Sequence, residues 1–229
     1  YRYKTAKNKI FSKAVVKMFI SFEGIDFCGK TTQINLLKQY LEKLGREVYI
    51  VREPGGTQIS EKIREILLNK KHLEMCDETE IFLFSGARAQ VVREIVRPHL
   101  ADGAVVIADR FHDSTTAYQG FGRGLNAEAV KKINEIATGG TLPDITFYLK
   151  LSVEESSRRK YACDAELDRI EKSNDQFYKR VIEGYEKIAL EFPLRIKTVN
   201  GERSPQEIHE EIVGILHETM NLSFAKNGT

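Results

Sequence analysis

The stretch "FEGIDFCGKTTQ", residues 22–33, decides the fold. From Gly24 to Thr31 it reads G-x-x-x-x-G-K-T. The two glycines let successive backbone N–H groups turn inward and cradle phosphate oxygens. The stretch lies between an apolar run, "MFISF" (18–22), and an amphipathic pattern starting near Lys30. Strand, loop and helix in that order are the setting a phosphate loop needs. The helix N-terminus brings free N–H groups and a partial positive charge of about half a unit. Lys30 is then placed to reach the β- and γ-phosphates, and Thr31 to offer its hydroxyl to Mg²⁺. Phe27 and Cys28 stand where such loops usually carry small residues.

Working outward, four further apolar runs follow: "EVYIV" (47–51), "AVVIA" (104–108), "ITFYLKL" (145–151) and "LRIKTV" (194–199). Continuous apolar runs separated by helical patterns predict an α/β fold with a parallel sheet covered on both faces. Helix starts are expected at two capping boxes, Asp77–Glu80 and Ser152–Glu155, and at Ser204 with Pro205 in the first helical position. Gly45 and Gly139-Gly140 are expected helix ends. No repeat or low-complexity segment interrupts the pattern, so a single domain over 18–220 is the expectation.

Composition bounds the function. The chain has 229 residues, 41% of them hydrophobic and 30% charged, which describes an ordinary globular domain. No apolar run approaches the ~18 residues a membrane helix needs, so no membrane partner is expected. Residues 1–17 hold six Lys/Arg and no acid, leaving 29 basic against 33 acidic residues in the rest. Charge for nucleic acid would have to sit in that arm. It is read instead as a basic, disordered extension ahead of Met18, with 221–229 as a matching tail and no nucleic-acid partner. Cys28, Cys76 and Cys163 are widely spaced and odd in number, as free thiols of a reducing cytoplasm would be.

A second constellation is "DRFHDSTTAYQG", Asp109 to Gly120. Asp109 ends an apolar strand, where its carboxylate can reach the Mg²⁺ shell. Arg110 comes next, aimed to a different side by strand alternation and suited to a bidentate grip on a second phosphate. A plain Asp–Arg ion pair is the alternative. Ser114, Thr115, Tyr118 and Gln119 fall within one or two helical turns and can face one pocket. Upstream, "EIFLFSGARAQ" sets Phe84 and Arg88 four apart on one helical face, a ring to stack on a base and a guanidinium to donate to it. The alternative there is Phe84 as core and Arg88 as surface.

Taken together these segments resemble a family. "FEGIDFCGKTTQ", "REPGGT" (52–57), "FSGARAQ" (84–90), "DRFHDSTTAYQG", "LPDITFYL" (142–149) and "LDRIE" (167–171), then "FYKRVIEGY" (177–185), occur in the order seen in bacterial thymidylate kinases, over about residues 18–215. The resemblance implies a three-layer P-loop NTPase fold of the nucleoside monophosphate kinase type, a five-stranded parallel sheet flanked by helices. It implies transfer of the ATP γ-phosphate to dTMP with Mg²⁺, in the cytoplasm, by a homodimer that uses apolar helices such as 81–96.

Carried over position by position, the ATP phosphates take Gly24, Ile25, Asp26, Phe27, Cys28, Gly29, Lys30, Thr31 and Thr32, with Thr31 and Asp109 toward Mg²⁺. Arg110 holds the acceptor 5′-phosphate, Glu53 lies near the transferring group, and Asp26 faces the sugar and metal region. Phe84 and Arg88 read thymine, with Ser114, Thr115 and Gln119 beside them, and Tyr118 crowds out a ribose 2′-OH. Some relatives carry a catalytic arginine inside the loop. Here Ile25, Asp26, Phe27 and Cys28 offer none, so it is expected in a turn-like lid at about 156–172. Arg159 is favoured, then Arg158, with Arg169 tied to Asp168 or Glu171. The rivals are another nucleoside monophosphate kinase, a deoxynucleoside kinase, and a phosphate-loop switch. A GTPase is set aside because no N-K-x-D signature occurs.

Overall fold

A computed structural model of the protein describes residues 17–162, 168–171 and 173–226. The expected arm, Lys17 apart, and Cys163 lie outside those residues.

Five strands form one sheet: β1 (Met18–Glu23), β2 (Val48–Arg52), β3 (Val105–Asp109), β4 (Ile145–Lys150) and β5 (Ile196–Asn200). The order is β2-β3-β1-β4-β5, and every pairing is parallel. All six residues of β1 are buried, whereas the edge strands β2 and β5 are partly exposed. This matches the expectation that continuous apolar runs take the centre of a sheet covered on both faces. The expected runs lie within one or two residues of the observed strands.

The helices are α1 (Lys30–Lys43), α2 (Gln58–Leu68), α3 (Asp77–Val91), α4 (Arg97–Ala101), α5 (His112–Thr115), α6 (Ala127–Thr138), α7 (Val153–Ala162), α8 (Asp175–Glu191) and α9 (Pro205–Lys226). Strand alternation divides the core. Met18, Ile20 and Phe22 pack with Leu37 of α1, Tyr185 of α8 and Ile212 of α9, while Phe19 packs with Val91, Val92, Val96 and Phe111. Two wider, π-helical turns interrupt the helical run, at Val92–Val96 and Thr116–Gly122, and the second carries Tyr118 and Gln119.

The helix ends correct several expectations. Ser204 and Glu207 form a reciprocal box, each side chain accepting from the other's backbone N–H at 3.3 and 3.0 Å. Ser152 accepts from the Glu155 N–H at 3.3 Å, but the Glu155 carboxylate turns away to two arginines. At α3 there is no box. The chain enters at Cys76, and Asp77 is already helical, with Glu78 and Glu80 in the same turn. Gly139 closes α6 with φ 58°, and Gly45 (φ 75°) follows α1, both as expected. The supposed tail is shorter, because α9 runs on to Lys226. Residues 153–162, expected to be partly turn-like, are helical.

Candidate active site

The phosphate loop leaves the carboxyl end of β1. Chain connections depart from there to one side of the sheet, and from β4 to the other, the position where open α/β sheets bind ligands. Gly24 has φ 136°, and a Cβ there would stand 2.6 Å from the Leu149 carbonyl oxygen, so the turn requires glycine. Gly29 precedes α1 in the left-handed region with no side-chain cap, leaving the first N–H groups of α1 free for an anion.

Phe27 and Cys28 now have a structural account. Phe27 takes φ 62°, a conformation that costs a residue with a Cβ about 1–2 kcal/mol. Its carbonyl accepts from Arg159 Nη1 at 3.3 Å. Cys28 is fully buried, and its side chain belongs to the core cluster. Lys30 Nζ closes the loop on itself. It donates to the carbonyls of Gly24 (3.2 Å) and Ile25 (2.9 Å) and lies 3.6 Å from Cys28 Sγ.

Two adjoining cavities at this edge of the sheet hold the residues expected at the site. The larger, about 650 Å³, runs along the loop from Asp26 to Gln33, under Arg158 and Arg159 of α7, to Gly201, Arg203, Pro205 and Ile208. The smaller, about 150 Å³, holds Phe84, Arg88, Ser114, Thr115, Tyr118 and Gln119 together. Asp26, Glu53, Arg64, Arg110 and Glu171 line both. Residues expected at a donor site and at an acceptor site therefore meet through a shared wall.

That wall is strongly charged. Arg110 Nη2 donates to Asp26 Oδ1 at 2.6 Å, and Nη1 donates to the Gly24 carbonyl at 2.7 Å. The pairing expected as the alternative, between Arg110 and its neighbour Asp109, is replaced by this one. Arg110 is not in the strand; it takes φ 68°. Burial pushes the Asp26 carboxyl up, but Arg110 and Lys30 outweigh it and hold it below the usual range. Asp109 Oδ2 accepts from Thr31 Oγ1 at 3.4 Å, which brings the two expected metal-side residues together.

Arg88 is 2% exposed, so the surface alternative fails. Its Nε donates to Glu53 (2.7 Å), Nη1 to Thr115 (2.9 Å) and Asn134 (3.2 Å), and Nη2 to the Phe111 carbonyl (3.1 Å). A guanidinium has five N–H groups, so among the described residues one is left uncommitted. Burial pushes Glu53 up to about 7 despite Arg88, and among the described residues Glu53 Oε1 has no partner. Tyr118 Oη, also buried, has none either. Ser114 lines the small cavity, but its hydroxyl donates to Glu23 at 2.5 Å, and Gln119 donates to Glu80 at 2.9 Å. Both are occupied by protein partners that the sequence reading did not anticipate.

The expected lid arginines separate. Arg159 donates to Phe27 O and to Gly201 O (2.9 Å), whereas Arg158 is largely exposed and pairs only with Glu155 among the described residues. Glu155 holds both arginines, and its own carboxyl is drawn down to about 2. Arg169 is not tied to Asp168 or Glu171. It donates to Glu80 Oε2 at 2.6 Å and to the Leu67 carbonyl at 2.9 Å. Segment 163–167, part of the expected lid, lies outside the described residues.

Several lining residues escaped the sequence reading. Arg64 shows no motif of its own and reaches the site only through the packing of α2. Tyr178 donates to Asp26 Oδ2 at 3.3 Å across 152 positions. The 201–204 turn and the start of α9 could have been found, because they follow the carboxyl end of β5.

A phosphate loop on the central strand of a β2-β3-β1-β4-β5 sheet, opposite a second cavity walled by arginines, defines a P-loop NTPase fold equipped for phosphoryl transfer. The thymidylate kinase family model matches residues 22–212. A thymidylate kinase from Chlorobium luteolum is 49% identical over 209 residues, 88% of this chain and 97% of its own. One from Thermoanaerobacter sp. is 46% identical over 198 residues, 86% and 96% of the two chains. The crystal structure of thymidylate kinase from Ehrlichia chaffeensis superposes with a TM-score of 0.70 at 33% identity, over 88% of this chain and 99% of that one. The chain belongs to the thymidylate kinase family.

Proposed function

We propose that the larger cavity takes ATP with Mg²⁺, the smaller takes dTMP, and the phosphoryl group crosses between them at the shared wall. As a thymidylate kinase the enzyme converts ATP and dTMP to ADP and dTDP, on the path to dTTP. The observation that carries the assignment of sites is the set of five residues common to both cavities.

The attacking atom is a phosphate oxygen, so no strong base is required and positioning with charge stabilisation dominates. The loop N–H groups, Lys30 and Thr32 hold the donor. On ATP binding, Lys30 exchanges its loop carbonyls for phosphate oxygens. Thr31 and Asp109 offer an oxygen pair suited to Mg²⁺, which takes few protein ligands and completes its shell with water and phosphate. Among the described residues no cluster of three or more His, Cys, Asp or Glu forms a closed metal cage, which fits that mode. The ion would neutralise charge on the transferring group. Arg110, with Arg64 beside it, holds the acceptor phosphate. Phe84 and the uncommitted N–H of Arg88 receive the base, Thr115 lies against it, and Tyr118 packs at the sugar. Arg159 is the catalytic lid arginine.

The same reading makes the enzyme a cytoplasmic homodimer. Among the described residues no helix is long and apolar enough to cross a membrane. Ile59 and Ile66 of α2, Phe82 of α3 and Ile136 of α6 are exposed apolar side chains on helices that pack side by side, a face suited to a second copy. A coupled ADP-release assay offering dTMP, dUMP, dCMP, dGMP, AMP and thymidine separately tests the acceptor site. Turnover confined to dTMP, with slow dUMP activity because a methyl discriminates by only ~1–3 kcal/mol, is the expected result. Equal rates with AMP would overturn the base assignment.

A further inference from the structure

We propose that Glu23 is a positioning residue that sets Arg110 to hold the acceptor phosphate, without touching either substrate. The proposal rests on the reading of Arg110 given above.

Three consecutive residues at the end of β1 grip Arg110 and its neighbour. The Phe22 carbonyl accepts the Arg110 N–H at 3.0 Å, Glu23 Oε1 accepts the Phe111 N–H at 2.7 Å, and the Gly24 carbonyl accepts Arg110 Nη1 at 2.7 Å. Between those points Arg110 adopts φ 68°, a left-handed conformation that a residue with a side chain keeps only where its surroundings over-determine it. Glu23 supplies the middle constraint. Removing it frees the peptide that follows Arg110.

The second carboxylate oxygen organises the other side of the guanidinium. Ser114 and Tyr185 hydroxyls donate to Glu23 Oε2 at 2.5 and 2.9 Å, and both hydroxyls also lie 3.4 Å from Arg110 Nη1. One acid thus fixes a backbone N–H and two hydroxyls that surround the same cation. Glu23 itself is fully buried and lines neither cavity. Its strand parity places it with Phe19 and Ser21, against the α3 and α5 side. All three partners can act as donors, which suits Glu23 when it is ionised and therefore acceptor-only; burial and the neighbouring Asp113 push its carboxyl up to about 7.

The test measures kcat and KM for both substrates in Glu23→Leu, Glu23→Gln, Tyr185→Phe and Arg110→Ala. Glu23→Leu is expected to raise KM for dTMP at least ~10-fold while KM for ATP stays within about twofold, as loss of one charge-assisted alignment would. Glu23→Gln keeps an acceptor for the Phe111 N–H and should recover most of the loss. Tyr185→Phe keeps the ring and should raise KM for dTMP by a few-fold. If Glu23→Leu does not fold, Tyr185→Phe carries the test. A parental dTMP KM in Glu23→Leu and Tyr185→Phe, or in Tyr185→Phe alone if the Leu variant does not fold, with a raised one in Arg110→Ala, overturns the proposal and leaves the acceptor site standing. A parental dTMP KM in Arg110→Ala overturns both. Equal rises in both KM values mark Glu23 as merely structural.

Discussion

Arg159 donates to the carbonyl of Phe27 at 3.3 Å, and this hydrogen bond joins helix α7 to the one non-glycine loop position with a left-handed backbone. Arg158, one residue earlier, faces outward and is engaged by Glu155 alone among the described residues. Neighbours in sequence point about 100° apart on a helix, and although both arginines line the larger cavity, Arg159 is the one of the two that bonds the loop.

Arg159→Ala is therefore expected to lower kcat by ~10³-fold or more, the scale of a lost charge-stabilising arginine in phosphoryl transfer. Arg158→Ala should change kcat by less than about tenfold. Steady-state rates at saturating ATP and dTMP check the pair. The reverse ranking would move the catalytic role to Arg158.

Glu53 gives a pH signature. Burial raises its folded-state pKa to about 7 from an ordinary 4.5. A group raised in this way contributes stability that is fully present below 4.5 and is lost as pH rises through 7. Glu53→Gln removes that titration. Stability of the parent minus that of the variant should thus fall between pH 5 and pH 8. Urea unfolding of both proteins at the two pH values measures it, and a constant difference would count against the shifted carboxyl.

Tyr118 Oη is buried with no hydrogen-bond partner among the described residues. Leaving a hydroxyl unsatisfied costs about 1–3 kcal/mol, so Tyr118→Phe should stabilise the unliganded protein by about 1 kcal/mol. Thermal unfolding without nucleotide should show a higher Tm. A lower Tm would mean that the hydroxyl has a partner in solution.

Glu80 is 1% exposed and binds Arg169, Arg123 and Gln119 at 2.6 to 3.1 Å. Burial pushes its carboxyl up, but the two arginines and the amide outweigh that and hold it below the usual range. Glu80→Ala leaves the buried Arg169 without its acid, while Arg123 keeps Asp77 at 3.4 Å, and should cost roughly 3–5 kcal/mol. It also releases the 168–171 turn, which lines the small cavity, so KM for dTMP should rise. Denaturant midpoints and dTMP kinetics test the two effects separately.

Much of this protein is written locally. The loop from Gly24 to Thr31, the apolar runs that become β1 to β5, and the Ser204–Glu207 box are recognisable because each depends on residues within a few positions of one another. Phosphate binding follows from the same local geometry, since glycine freedom and a helix N-terminus act over one turn.

The electrostatic partners are not written locally. Arg169 reads in the sequence as a partner for Asp168 or Glu171, and only the fold brings it to Glu80, 89 positions away. Asp77–Glu80 looks like a cap, yet Glu80 turns inward because two arginines compensate a buried carboxylate better than a backbone N–H can. Glu23 reads as one acid in an apolar strand until β3 delivers Phe111, α5 delivers Ser114 and α8 delivers Tyr185. The sequence by itself determined the sheet, the phosphate loop and the chemical class of the site, because backbone propensity and glycine stereochemistry are short-range. Which cation faces which anion was decided only by the tertiary structure, because a buried charge is tolerable only beside partners gathered from distant parts of the chain.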